Sequence, residues 1–174
     1  MSSGAPLLLA STSPQRRAIL EQLGIPFDVE APRYEERDDG ELGPAEQVRA
    51  HAEGKARSLA GKAGDRPVLG VDTAVVLDGR AYGKAGNETE AAAMLQDLGG
   101  RTHAVVSGLC LLTPAWEVVE HEETLVGFRP LTPRDVAAYV AAGEWRGRAG
   151  AYAIQGRGAS LVERVEGDYL NVVG

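Results

Sequence analysis

Short apolar runs alternate along the chain with segments whose apolar positions recur every three or four residues. Leu7–Ala10 reads as a buried strand that breaks into the turn Ser11-Thr12-Ser13-Pro14. Gln15–Leu23 predicts a helix that buries Ile19, Leu20 and Leu23 and is ended by Gly24. Phe27–Ala31 predicts a second strand. Beyond an acidic loop, Pro44 opens a helix to about Ala60, with Val48, Ala52 and Leu59 as its apolar stripe. Val68–Leu77 is the strongest strand pattern in the chain, closed by the hairpin pair Asp78-Gly79. Glu88–Leu98 predicts a helix with Ala91, Met94, Leu95 and Leu98 on one face. Two long strands, Thr102–Leu112 and Glu117–Arg129, flank a turn at Thr113-Pro114. Thr132-Pro133-Arg134-Asp135 marks a helix start, cap then proline, and that helix runs to Ala142. The glycine-rich GEWRGRAGAYAIQGRG precedes a last strand at Ser160–Glu166. This order predicts a single α/β domain, a mixed twisted sheet in two lobes with flanking helices.

Composition narrows the function. At 174 residues the chain suits one domain with a substantial core. No run approaches ~18 uncharged apolar residues, and no basic-then-apolar leader stands at the N-terminus, so neither a membrane span nor a secretion signal is expected. Cys110 is the single cysteine and lies in an apolar run, which excludes a disulfide framework and predicts a small core residue. A reducing cytoplasm is the expected compartment. The net charge of −7 argues against a broad face for a nucleic-acid polymer. The acids also cluster, at Glu35, Glu36, Asp38, Asp39 and Glu41, while the basic residues are scattered. An anionic ligand must therefore be held by a few placed cations.

Five places carry candidate chemistry. Arg16 and Arg17 open the first helix, although the dipole at a helix N-terminus disfavours cations. A strand, a serine-rich turn and a helix start offer N–H and hydroxyl donors to an anion, and an arginine aimed at the same point adds a charge-assisted contact. Arg16 shares the side of Ile19 and Leu20, and Arg17 sits at its edge. A solvated arginine pair beside a helix cap is the other reading. Lys55 falls in the middle of an apolar stripe, either snorkelling to the rim or reaching a site shared with Arg16. Asp72 interrupts a buried strand, with Gly70 and Ala74 on its face leaving space; it is either structural or a general base or metal ligand. Glu35-Glu36 is either a solvated run or a source of a hard-cation ligand, and Lys84 either an ordinary turn lysine or a phosphate ligand. No P-loop, dinucleotide fingerprint, paired-histidine zinc motif or GxSxG elbow occurs. His51, His103 and His121 are scattered and read as structural or solvated. What remains suits metal-assisted phosphate chemistry.

The blocks ASTSPQRRAILEQLG, GVDTAVVLDG, GRTHAVVSG, AGAYAIQG and GDYLNVVG, in this order, resemble the Maf family of septum-formation proteins. The resemblance runs from Leu7 to Gly174. It implies a fold like that of inosine triphosphate pyrophosphatase, with the active site between two lobes. It also implies hydrolysis of a nucleoside triphosphate between its α- and β-phosphates, with a divalent cation (Mg²⁺, Mn²⁺ or Co²⁺) as cofactor. Carried over by position, the catalytic base falls on Asp72. Phosphate- and metal-handling residues fall on Ser11, Arg16, Glu36 (as metal ligand), Lys55 and Lys84, and base-selecting positions on Gln15, Thr73 and Gln155. Ile154-Gln155-Gly156 resembles the branch acting on dTTP and UTP, whereas Gln15 stands where that branch has arginine. Arg148 replaces the more usual lysine before Ala149-Gly150. Relatives continue past the position of Gly174 into a closing helix, which this chain is expected to lack. The resemblance further suggests a homodimer, a state that nothing in the residues themselves indicates. Two rivals stand beside it: a non-catalytic nucleotide-binding regulator of septation, and a general phosphatase with no base-reading pocket.

Overall fold

The computed structural model describes residues 6–37 and 40–174, so Asp38 and Asp39 of the acidic run lie outside the described residues. The elements are β1 (Leu7–Ala10), α1 (Pro14–Gln22), β2 (Phe27–Glu30), α2 (Pro44–Arg57), α3 (Ala60–Ala63), β3 (Val68–Leu77), β4 (Arg80–Tyr82) and α4 (Glu88–Leu98). After these come β5 (Thr102–Leu112), β6 (Glu117–Phe128), α5 (Pro133–Ala142), a 3₁₀ helix (Gly156–Ser160), β7 (Val162–Glu166) and α6 (Tyr169–Val173). The strands form one mixed sheet in the order β2-β1-β3-β5-β6-β7, with β4 on β3. β1 pairs in parallel with β2 and β3, while β3–β4 and β6–β7 are antiparallel. Among the described residues, no helix is long and apolar enough to cross a membrane.

The chain divides into two compact units. The first comprises the chain up to Asp72 together with Ser107–Glu122 and Gly174; the second comprises Thr73–Val106 and Glu123–Val173. In the first, α2 lies directly on the sheet because the residues beneath it have no side chains. A Cβ on Gly70 would stand 2.0 Å from the Ala52 carbonyl oxygen, and one on Gly108 would stand 2.2 Å from that of Val48. The face of Asp72 is therefore filled by helix backbone next to Gly70, where the sequence alone suggested open space. Leu8, Ala10, Ala52, Ala56, Val68 and Cys110 make this core, and burial pushes the Cys110 thiol up to about 12.

The second unit has the larger core. Leu95, Leu98, Val105, Val126 and Phe128 are among its most enclosed aliphatic and aromatic groups, each worth roughly 1.5–3 kcal/mol when buried. Its enclosed polar groups are paired without charge, apart from His103 Nδ1, which has no hydrogen-bond partner among the described residues. His103 Nε2 and the Tyr152 hydroxyl share a 2.8 Å hydrogen bond, and Asn171 Nδ2 donates to Val105 O and Thr124 Oγ1.

The predicted elements are present, with adjusted ends. α2 stops at Arg57 instead of about Ala60, because Ser58 Oγ takes the Lys55 carbonyl and Leu59 N–H closes onto Ala56 O. β7 begins at Val162 because the preceding residues coil into the 3₁₀ turn, where Ser160 Oγ bonds Arg157 O. The short α3 and α6 have no counterpart in the periodicity. Asp168 starts α6, its carboxylate accepting the Asn171 N–H at 2.9 Å.

Candidate active site

The first unit gathers five of the predicted residues. Pro14 at the first helical position fixes the start of α1, and Ser11 lies two residues before the Ser13 cap. Arg16 donates from Nη1 to Ser11 Oγ at 3.1 Å, and Ser13 N–H donates to the same oxygen at 3.2 Å. The Ser11 oxygen thus accepts twice, which leaves its O–H to donate to an incoming oxygen. Arg16 is partly buried, whereas Arg17 is exposed, as the helix phase predicts. Burial lowers the pKa of the Arg16 guanidinium, and the charges of Asp72 and Glu36 raise it. Both carboxylates therefore act on the arginine that opens α1.

Lys55 does not snorkel. Only 7 % exposed, it donates from Nζ to Asp72 Oδ1 at 2.5 Å and approaches Glu36 Oε1 at 2.6 Å, with Val71 O at 3.4 Å. The close seat of α2 on Gly70 lets an α2 side chain reach a β3 carboxylate two residues further on. Glu36 is brought in by a device that residue types alone do not announce. The Tyr34 ring packs where a Gly54 side chain would be, 2.2 Å from its Cβ position, and the Tyr34 hydroxyl meets His51 Nδ1 at 3.3 Å. Arg33 N–H also donates to Ser58 Oγ, so the segment leading to Glu36 is fastened to α2 at two points. Burial and then the charges of Glu36 and Asp72 raise the Tyr34 pKa. The available signals for this device were an aromatic residue just before the acidic pair and a glycine just before Lys55.

Two carboxylates and two cations form this cluster, so its formal charge is balanced before any ligand arrives. Among the described residues, no group of three or more His, Cys, Asp or Glu side chains is arranged to hold a metal ion. Mg²⁺ commonly takes one or two carboxylates and completes its shell with water and substrate phosphates, which the Glu36 and Asp72 donor set fits. Gln15 also lies in this unit, its Oε1 accepting from Ser13 Oγ at 3.0 Å.

Thr73, Lys84 and Gln155 belong to the second unit. Lys84 follows β4, where its backbone bridges to Ala149 and the Gly150 N–H bonds the Gly83 carbonyl. Gln155 is exposed at the start of the 3₁₀ helix, and Tyr152 and Ile154 on its N-terminal side are buried. His51 and His103 are enclosed, structural histidines, and His121 is exposed on β6, in line with the sequence reading.

Comparison with known proteins identifies the family of the chain. The family described as Maf-like protein matches residues 6–174. A dTTP/UTP pyrophosphatase of Moorella thermoacetica is 49 % identical, covering 97 % of this chain and 88 % of that protein. One from Symbiobacterium thermophilum is 46 % identical over 97 % and 87 %, and one from Deinococcus radiodurans is 43 % identical over 97 % and 86 %. Among solved structures, the Staphylococcus aureus Ham1 protein overlaps 71 % of this chain and 72 % of its own, at a TM-score of 0.45 and 16 % identity. The match over nearly the full length, with relatives this close, shows that the chain belongs to the Maf-like protein family.

Proposed function

We propose that this chain is a nucleoside triphosphate pyrophosphatase that cleaves dTTP and UTP between the α- and β-phosphates. The observation that carries the reading is the buried Lys55 ammonium held between Asp72 and Glu36, with the Arg16 guanidinium under the charge of both carboxylates. A buried ionic cluster is costly to keep and gives little net stability, so its retention suits charge chemistry. Relatives at 43–49 % identity that carry the name dTTP/UTP pyrophosphatase support the same substrates.

In this reading Asp72 takes a proton from the attacking water, whose oxygen bonds to the α-phosphorus as the bridging bond to the β-phosphate breaks. Pyrophosphate leaves with the bridging oxygen, and the nucleoside monophosphate remains. Ser11 and Arg16 hold phosphate oxygens, and Lys55 and Lys84 add positive charge to them. Glu36, with Asp72, would hold a divalent cation, which supplies charge neutralisation on the phosphates when bound. The balanced charge of the cluster makes such a cation necessary, because a triphosphate brings several further negative charges. Gln15, Thr73 and Gln155 select the base. An amide offers both a donor and an acceptor, matching the O4, N3–H and O2 edge of uracil and thymine. The substrate is a soluble nucleotide in the cytoplasm, with no nucleic-acid polymer or membrane involved.

The test is release of pyrophosphate against inorganic phosphate over UTP, dTTP, ATP, GTP and 7-methyl-GTP, with Mg²⁺, Mn²⁺ or Co²⁺ and then with excess chelator. Pyrophosphate should appear first from UTP and dTTP, and turnover should stop with the chelator. Inorganic phosphate as the released product would make the chain a phosphatase, and a purine preference would remove the pyrimidine assignment.

A further inference from the structure

Gln155 is exposed, yet the backbone on both sides of it is tied down. The Ala153 N–H donates to the Tyr139 hydroxyl at 3.0 Å, and Ile154 is buried. Gly158 lies so close to Ala153 that a Cβ there would stand 1.6 Å from the Ala153 carbonyl oxygen. The remaining tie comes from outside the loop. Both carboxylate oxygens of Glu144 accept from the Arg157 N–H, at 2.9 and 3.3 Å. Gly156, at φ +63°, packs against the same carboxylate, with its Cβ position 3.0 Å from Glu144 Oε2. The tie is local in origin: Gly143 ends α5 in the left-handed conformation and turns the next residue, Glu144, towards the loop.

We propose that Glu144 is a positioning residue for Gln155: by clamping the Arg157 amide it fixes the peptide that presents the Gln155 side chain, and so sets the choice of base. The inference rests on the reading of Gln155 as a base-contacting residue. Discrimination by hydrogen bonding needs a donor and acceptor held still, because a mobile amide can satisfy the wrong edge as readily as the right one. The clamp also explains why a half-buried carboxylate in a glycine-rich stretch faces backbone, while the neighbouring Arg146 lies over Trp145 and near Glu88. Tyr139 and Tyr152 steady the loop through the core, so Glu144 is the tie that can be altered without opening it.

The experiment measures affinity for α,β-methylene UTP and α,β-methylene ATP by calorimetry, in wild type and in Glu144→Ala, Glu144→Gln, Gln155→Ala and the Glu144→Ala/Gln155→Ala double variant. Wild type should favour the UTP analogue. Glu144→Ala should lose roughly five- to tenfold of that preference, the range of one hydrogen bond. Glu144→Gln, whose amide oxygen still accepts from Arg157, should keep most of it. The double variant should match Gln155→Ala alone, because Glu144 acts through Gln155. A merely structural glutamate would lower the melting temperature and leave the ratio unchanged. An unchanged ratio in Glu144→Ala or in Gln155→Ala, or additive losses in the double variant, overturns the inference. So does a loss in Glu144→Gln equal to that in Glu144→Ala, which would mean that charge matters and the clamp does not. Should Glu144→Ala not fold, Glu144→Asp, one methylene short of the amide, must show the loss instead. These binding ratios need no turnover, so a chain that released no pyrophosphate would sink the proposed activity and leave this test readable.

Discussion

The two units bury polar groups of opposite kinds. In the first, the enclosed polar side chains include an ammonium between two carboxylates, with a partly buried guanidinium beside them. In the second, they are neutral: His103 with Tyr152, Thr124 with Asn171, and Tyr139 with the Ala153 amide. The ion pairs of the second unit, such as Arg129–Asp135 and Arg101–Asp78, lie towards solvent. A buried charge is expensive and responds strongly to any charge brought near it, whereas a satisfied neutral hydrogen bond holds shape and responds little. On the proposed reading the first unit meets the polyanion, while the neutral hydrogen bonds of the second hold its loops in place.

The sharpest way to break this contrast is at Asp72. Asp72→Asn keeps the size and removes both the negative charge and the proposed base, so kcat for UTP should fall by roughly 10²–10⁴. Nucleotide affinity should survive, because Glu36 remains to hold the cation and the charge lost from Asp72 is one that repels phosphate. Steady-state kinetics with calorimetric binding read both quantities. An unchanged kcat would make Asp72 only a structural partner of Lys55.

The corresponding test in the second unit is acid. Burial alone holds His103, 2 % exposed, down at about 4 from its ordinary 6.5. The unfolded chain takes up a proton below 6.5 that the folded chain refuses until about 4. Stability is thus fully present above 6.5 and is lost as the pH falls towards 4, by roughly 3 kcal/mol in total. Urea unfolding from pH 7 to 4 should show this slope in wild type, and His103→Gln should lose it while starting less stable. If the variant keeps the same slope, the proton is taken up elsewhere.

How much of this was legible depends on where each signal lies. Val68–Leu77 and Glu88–Leu98 announce themselves because burial imposes a period on ten or more residues. The helix of Ala60–Ala63 and that of Tyr169–Val173 are too short to show a period, and hydrogen bonds such as that from Asn171 N–H to Asp168 decide them. Lys55 and Asp72 were each visible as a charge in an apolar pattern. Their meeting was not, because it depends on the absence of a side chain at Gly70 and on a contact between residues 17 apart. Tyr34 left only a faint trace, an aromatic residue before the acidic pair, and Glu144 none, since each acts by seating another segment.

The smallest expected effect compares two neighbours within the first unit. Arg16 and Arg17 carry the same charge at the same helix end, so any difference between them is a matter of direction. Arg16 turns inward to Ser11 Oγ and feels both Asp72 and Glu36, while Arg17 is exposed. A charge-assisted contact to a phosphate oxygen is worth ~1.5–3 kcal/mol, and an exposed charge is screened by salt. Arg16→Ala should therefore weaken binding of α,β-methylene UTP by roughly ten- to a hundredfold. Arg17→Ala should weaken it about twofold at low ionic strength and less as salt is added. Raising the salt separates the two causes, because the Arg16 effect should persist at 0.5 M sodium chloride and the Arg17 effect should vanish. Equal losses from the two substitutions, or an Arg16 effect that disappears with salt, would mean that the ligand meets a diffuse positive end of α1. The buried cluster of the first unit would then be a feature of folding with no part in recognising phosphate.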